Sequence, residues 1–158
     1  MTIHRLFSKD PNDEEENVTQ NIYVFRFILF CIIVYSFEML LNSVDIFIVD
    51  KTIFTRGYVT GCLFAAVYVL ILLHLGLEHP LTKYVSITAV SLIIMAASVS
   101  LTYHMIIIIM MPIIIAGMYT SKQLSIYTFV LTVLSIIIST YAAVSYTHLR
   151  AHETVLDL

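Results

Sequence analysis

The chain has 158 residues, of which 59% are hydrophobic and 12% are charged, and its formal net charge is −3. Soluble domains carry roughly 25% charged residues, so this composition indicates a chain whose main surroundings are apolar. Eight scattered Lys and Arg residues cannot form the basic face that phosphate binding requires, which excludes nucleic acid as a partner. Cys31 and Cys62 lie in apolar runs without C-x-x-C spacing, so we predict that both pack as small hydrophobic residues.

Residues 1–21 form a polar N-terminal arm with an acidic run at residues 13–16. The arm has no apolar segment ahead of a small-residue cleavage site, so it is not a signal peptide. We predict that it lies in the cytoplasm and that the first apolar segment stays in the membrane.

The region 22–144 is apolar enough to form several membrane spans. A hydrocarbon core of about 30 Å requires about 20 helical residues at 1.5 Å each. Pro80 marks a turn after the second span, and the apolar run 84–119 is too long for one crossing, so it must turn back near Thr102-Tyr103-His104. The predicted spans are residues 22–41, 57–77, 84–101, 105–119 and 124–144. The fold class is therefore all-α, a polytopic transmembrane bundle of about five helices, with lipid as its first partner.

The distribution of Lys and Arg predicts the orientation of the bundle, because cytoplasmic loops carry the excess of these residues. With the N-terminus inside, the cytoplasmic side collects Arg5, Lys9, Lys83 and Lys122, and the outer side collects Lys51 and Arg56. The N-terminus is therefore predicted to be cytoplasmic.

Four histidine and glutamate residues could carry chemistry. His74, Glu78 and His79 lie together at the inner end of the second span, and His74 and Glu78 share one helical face. His104 is predicted at the opposite membrane face, about 30 Å away, so it cannot complete a metal site with them. We expect interfacial hydrogen-bonding histidines and no metal, although the rim of three residues is the one candidate for metal binding.

Three further residues are candidates for structural or functional roles. Arg26 and Glu38 lie near the two ends of the first span, where we expect them to anchor it at the interfaces. Pro112 should kink the fourth span. Small and hydroxyl residues in the third and fifth spans are predicted to form packing seams and interhelical hydrogen bonds.

No sequence motif predicts catalysis or a cofactor. A nucleophile elbow, a phosphate loop, a zinc-protease helix and paired catalytic carboxylates are all missing from the sequence. We therefore predict that the chain is not itself an enzyme. A membrane-bound enzyme that uses the rim of His74, Glu78 and His79 is the alternative.

Residues 145–158, SYTHLRAHETVLDL, switch abruptly from membrane composition to a mixed polar stretch. They resemble a translated sequencing-adapter read-through at the end of a gene model, which implies that the tail is not native and that the natural protein continues past Val144. The alternative is a short amphipathic tail helix.

The segment TYHMIIIIMMPIIIAGMYTSKQLSIYTFVLTVLSIIIS, residues 102–139, resembles the membrane region that precedes the catalytic domain in certain bacterial signalling proteins. These are diguanylate cyclases with a C-terminal GGDEF domain and, less often, sensor histidine kinases. The matched features are Pro112 in an apolar run, Tyr119, the basic turn at Lys122 and the opening of the next span. The resemblance implies a multi-pass protein of the bacterial inner membrane whose output domain is cytoplasmic and which dimerises through a missing C-terminal helix. The GGDEF motif itself is absent from this sequence.

We therefore predict a membrane-embedded sensor or anchor region of a truncated signalling protein, with a diguanylate cyclase as the favoured missing activity and an unidentified ligand. The alternative is a complete small membrane protein that acts as a transporter subunit or accessory.

Overall fold

The structure is a computed structural model that describes residues 11–46, 49–101 and 106–156. Six helical segments account for most of these residues: α1 (Pro11–Ser43), α2 (Lys51–Leu75), α3 (Thr82–Leu101), α4 (Ile106–Ile109), α5 (Met111–Gly117) and α6 (Lys122–Leu156). The described part of the chain contains no strand, so the predicted all-α fold is confirmed. Helix α1 begins within the predicted polar arm, and the backbone of α6 continues through the tail as far as residue 156.

Four helices within the described ranges are long and apolar enough to cross a membrane. They are Asn17–Ser43 in α1, Lys51–Leu75 in α2, Thr82–Ser100 in α3 and Lys122–Ala142 in α6. At 1.5 Å per residue the shortest of them, in α3, is roughly 28 Å long, which matches a hydrocarbon core of about 30 Å. The protein is therefore a membrane protein with transmembrane helices.

Helix α2 begins at a side-chain cap. The Asp50 carboxylate accepts hydrogen bonds from the backbone N–H groups of Thr52 at 2.9 Å and Ile53 at 3.2 Å. These bonds satisfy two of the amide groups that a helix leaves without partners in its first turn. The helix consequently begins ahead of residue 57, where the sequence analysis placed the start of the span.

A tight turn at residues 76–81 connects α2 to α3 and includes Pro80. Gly76 has a φ of +78°, in the left-handed region that glycine adopts at low cost, and its N–H donates to the Leu72 carbonyl at 2.9 Å. The Thr82 hydroxyl, at the start of α3, donates to the Gly76 carbonyl at 2.7 Å. The turn therefore supplies partners for the carbonyl groups at the end of α2.

The segment predicted as the fourth span, residues 105–119, contains the two short helices α4 and α5. Pro112 lies in the first turn of α5 and has no N–H, and in a continuous helix its ring would collide with the carbonyl four residues earlier. The Ile113 N–H instead donates to the Met110 carbonyl at 3.0 Å, which closes a tighter turn between the helices. Pro112 thus accompanies a break in the helix, where the sequence analysis predicted a kink.

Hydrogen bonds at one end of the bundle show that Tyr119, which follows this broken segment, lies beside Asn21 and Leu77. The Asn21 amide nitrogen donates to the Leu77 carbonyl, and the Tyr119 hydroxyl donates to the Asn21 side-chain oxygen, both at 2.8 Å. Helix α3 starts at this end and runs away from it, so the chain must return along the bundle before residue 119. We call this the Asn21 end, and the opposite end, where α3 finishes, the Tyr35 end.

Helix α3 is the centre of the bundle and packs against all five other helical segments. Helix α6 packs on α3, and the small hydroxyl residues along α6 are buried: Thr128, Thr132, Ser135 and Ser139. The α3 residues Ser86, Ala89, Ser91, Ala96, Ser98 and Ser100 are buried as well. The predicted packing seams in the third and fifth spans are confirmed.

At the Tyr35 end, three aromatic rings from α1 and α2 interlock. The Tyr35 ring stands edge-on to Phe54 and to Tyr58, with centroid separations of 5.3 and 5.4 Å. The Ser36 hydroxyl lies 2.9 Å from the Tyr58 hydroxyl. Edge-to-face pairs of this kind stabilise a contact by about 0.5–1.5 kcal/mol beyond burial.

Glycine allows α2 to approach α1 and α3 closely at the same end. A Cβ atom on Gly57 would collide with the Ser100 hydroxyl and lie 2.8 Å from the Tyr35 hydroxyl, whereas one on Gly61 would lie 3.5 Å from the Tyr35 ring. The spacing Gly57-x-x-x-Gly61 is the small-residue pattern of close helix contacts in membranes. Neither glycine was predicted from the sequence as a contact residue.

We expect the full chain to remain in the membrane fraction after alkaline carbonate treatment and to require detergent for extraction, because its four long helices expose apolar side chains. Ultracentrifugation followed by immunoblotting measures this. A monomeric chain in the detergent-free supernatant would contradict the membrane assignment.

We expect Gly57→Ala to lower stability by about 1–3 kcal/mol, because the added methyl group overpacks the contact between α2 and α3. Thermal unfolding in detergent, followed by circular dichroism, measures the change. Gly61→Ala is the matched control on the same helix: its methyl group meets only an ordinary contact, and alanine favours the helix by about 1 kcal/mol. Equal destabilisation by both substitutions would show that the close approach is not specific to Gly57.

Candidate functional site

Three tyrosines, each from a different helix, contact three separate hydroxyl groups of α3. Tyr35 of α1 lies 2.6 Å from the Ser100 hydroxyl. Tyr68 of α2 lies 3.1 Å from the Ser86 hydroxyl, and Tyr127 of α6 lies 2.8 Å from the Thr88 hydroxyl. We call these the three tyrosine contacts; they are the interhelical hydrogen bonds that the sequence analysis predicted for the third span without naming their partners.

The direction of two of these bonds follows from the neighbouring backbone. The Thr88 hydroxyl donates its hydrogen to the Tyr84 carbonyl at 2.7 Å, and the Ser100 hydroxyl donates to the Ala96 carbonyl at 3.0 Å. Each hydroxyl has one hydrogen, so Tyr127 must donate to Thr88 and Tyr35 must donate to Ser100. Helix α3 therefore accepts one hydrogen bond from α1 and one from α6.

A second set of polar contacts lies at the Asn21 end. The Asn21 side chain is 1% exposed, and both of its polar atoms are bonded, the nitrogen to Leu77 and the oxygen to Tyr119. The neighbouring Gln20 amide donates to the Met118 carbonyl. We call this group the Asn21 junction. It holds α1 against both the α2–α3 turn and the turn that precedes α6.

The Asn21 junction and the Tyr35 contact are linked through α1. Asn21 and Tyr35 are separated along that helix by about 21 Å at 1.5 Å per residue. The same helix therefore contributes a buried hydrogen bond at each end of the bundle, and a displacement of α1 along its axis would disturb both.

The candidate metal rim does not form a cluster. His74, Glu78 and His79 are all exposed, and the His79 ring accepts a hydrogen bond from the Leu81 N–H at 3.2 Å. Within the described ranges, no group of three or more His, Cys, Asp or Glu side chains could hold a metal ion. The arrangement fits interfacial residues that bond locally.

The other candidate residues lie apart from one another. Arg26 is exposed on α1, Glu38 is half-buried near the Tyr35 end, and Pro112 is buried at the start of α5. His104 lies outside the described residues. The structure does not bring these residues together, and a functional role for each of them stays a prediction.

Asn21 was not among the residues singled out from the sequence, and neither Tyr119 nor the other tyrosines were predicted as hydrogen-bonding partners. An amide at the start of an apolar span is a usable signal, because a polar group in hydrocarbon requires a partner. The identity of that partner could not be predicted, since Asn21 and Tyr119 are far apart in the sequence and meet only after the chain has returned to the same end.

We expect Asn21→Ala to destabilise the bundle by about 1–3 kcal/mol, because it removes the partner of the buried Tyr119 hydroxyl and of the half-buried Leu77 carbonyl. A double-mutant cycle with Tyr119→Phe should give a coupling energy of about 0.6–1.7 kcal/mol. Unfolding in detergent measures both quantities. Tyr23→Phe is the control, because that tyrosine is 53% exposed on the same helix, and it should leave stability unchanged. A coupling energy of zero would show that the bond between Asn21 and Tyr119 contributes nothing to stability.

Compared with protein-family models, curated proteins and solved structures, the chain has no significant match. Its function is therefore to be inferred from its own residues and from the arrangement of its helices.

Proposed function

We propose that this chain is the membrane-embedded sensor and anchor region of a bacterial signal-transduction protein, without catalytic activity of its own. The favoured output is a diguanylate cyclase domain on the cytoplasmic side. The observation that carries the proposal is the pair of buried polar contacts that α1 makes at the two ends of the bundle, at Asn21 and at Tyr35.

A sensor region needs contacts that carry a displacement from one membrane face to the other. Small helix shifts of about 1–2 Å are a common mode of such signalling. A shift of that size along α1 would lengthen or misalign the 2.8 Å bond between Asn21 and Tyr119 and the 2.6 Å contact between Tyr35 and Ser100. The two contacts would then change together. A displacement at the Tyr35 end, which is the predicted outer face, would thereby reach the Asn21 end, where α6 begins.

The buried polar side chains support a sensor over an ion pathway. Among the side chains that the structure describes, the buried polar ones are hydroxyls and amides: Gln20, Asn21, Asn42, Thr82, Ser86, Ser91, Ser98, Ser100, Thr128, Thr132, Ser135 and Ser139. Transport pathways are typically marked by ionisable residues near the middle of the membrane. Hydroxyl and amide groups can exchange hydrogen-bond partners when helices shift, which is what a sensor region requires.

One observation favours the alternative, a transporter subunit or accessory. The segment between α3 and α6 is a discontinuous pair of short helices, α4 and α5, with Pro112 at the start of the second. Broken helices near the membrane midplane form substrate and ion sites in many secondary transporters. Solute or ion flux into proteoliposomes that contain the purified chain would support this alternative.

The sequence of the source locus beyond Val144 provides the first test. We expect the reading frame to continue into a further membrane helix and then a cytoplasmic domain with a GGDEF motif or a kinase core. A frame that ends at Leu158 in the source genome would contradict the proposal.

The coupling through α1 is tested in the full-length protein from that locus. We expect Tyr35→Phe and Asn21→Ala each to change the output, measured as cyclic dinucleotide or phosphotransfer, by several-fold, because each breaks one of the two α1 contacts. Tyr23→Phe, on the exposed side of α1, should leave the output unchanged. Output that none of the three substitutions alters would exclude signalling through α1.

A further inference from the structure

An open groove of about 240 Å³ lies between α2, α3 and α6. Its walls are mainly apolar, and half of the lining residues are aliphatic: Val67 and Ile71 of α2 and Val85, Ala89 and Leu92 of α3. Along α3 the lining runs from Tyr84 to Leu92, which is about 12 Å at 1.5 Å per residue. The groove therefore follows the direction of the membrane spans.

Three of the four hydroxyl groups among the lining residues are already bonded within the protein. Thr88 donates to the Tyr84 carbonyl, Tyr127 donates to Thr88, and the Tyr68 hydroxyl is bonded to Ser86. A polar ligand could take a hydrogen from Thr88 or Tyr127 only by breaking these bonds. The lining therefore favours a hydrocarbon chain.

A positive charge lies at the mouth of the groove. Tyr84 and Tyr127 stand edge-on at 5.4 Å where the groove meets the Asn21 end. The Lys83 ammonium group lies 5.8 Å from the centre of the Tyr84 ring, within the range of a cation–π contact. Tyrosine and lysine in this position are typical of the level of the lipid headgroups.

We propose that this groove binds one acyl chain of an anionic phospholipid whose phosphate lies beside Lys83. Pockets for drug-sized ligands measure about 300–1,000 Å³, so a smaller open groove suits one hydrocarbon chain better than a whole molecule. The Lys83 side is the predicted cytoplasmic side, and the cytoplasmic leaflet is the one rich in anionic lipids. The proposal does not depend on a signalling function.

The absence of tryptophan from the chain allows a site-specific test. A Val67→Trp reporter would place the single indole in the groove, and an Ile137→Trp reporter would place it on an exposed position of α6 outside the groove. Each full-length variant is reconstituted in phosphatidylcholine vesicles with increasing brominated phosphatidylglycerol or brominated phosphatidylcholine. Quenching of the indole gives the relative association of the two lipids.

We expect the Val67→Trp reporter to prefer phosphatidylglycerol and the Ile137→Trp reporter to show no preference. Adding Lys83→Gln to the groove reporter should reduce the preference by about fivefold, because one lysine near an anionic surface contributes about that factor. Lys83→Arg should retain it. Lys51→Gln is the matched control, since Lys51 lies at the Tyr35 end in an ion pair with Asp45.

Three results would overturn the proposal. Equal quenching of the groove reporter by both lipids, or a preference that survives Lys83→Gln, would remove the headgroup site. Quenching by neither lipid would mean that protein, such as a second copy of this chain, covers the groove. Circular dichroism of every variant checks that the helices are retained.

Discussion

Polar groups carried into hydrocarbon must find partners within the protein, and this constraint accounts for the helices and for the contacts between them. Several serine and threonine side chains on α3 and α6, among them Ser91, Ser98 and Thr128, donate to the carbonyl four residues earlier. Ser86, Thr88 and Ser100 of α3 each contact the hydroxyl of a tyrosine from a neighbouring helix. The hydroxyl groups thus leave α3 narrow enough for close packing and also fix the helices around it.

The tyrosine contacts and the groove share residues, which links the bundle to the lipid. Tyr68 and Tyr127 bond to α3 and also line the groove between α2, α3 and α6. An acyl chain in the groove would press on the same rings that hold α2 and α6 against α3. In the proposed sensor, lipid occupancy and helix position would therefore be coupled through ordinary packing, because a closely packed interior transmits displacement from one side chain to the next.

Much of the fold could be predicted from the sequence, and the reasons are local. The length and polarity of an apolar run determine whether a helix can cross the membrane, so the helices at Asn17–Ser43 and Thr82–Ser100 were expected from composition alone. Helix starts were harder to predict, because the cap at Asp50 moved the beginning of α2. The break at Pro112 was expected only as a kink, since its outcome depends on whether neighbouring helices leave room for a second short helix.

The sequence by itself determined that the chain is helical and embedded in the membrane, because these properties depend on residues that are near one another along the chain. The tertiary structure decided which polar groups meet. Asn21, Leu77 and Tyr119 form one junction, and Gly57 lies against Tyr35 and Ser100, although nothing in their local sequence pairs them. Such contacts depend on the register and rotation of whole helices, which are set when the small-residue surfaces of several helices pack together.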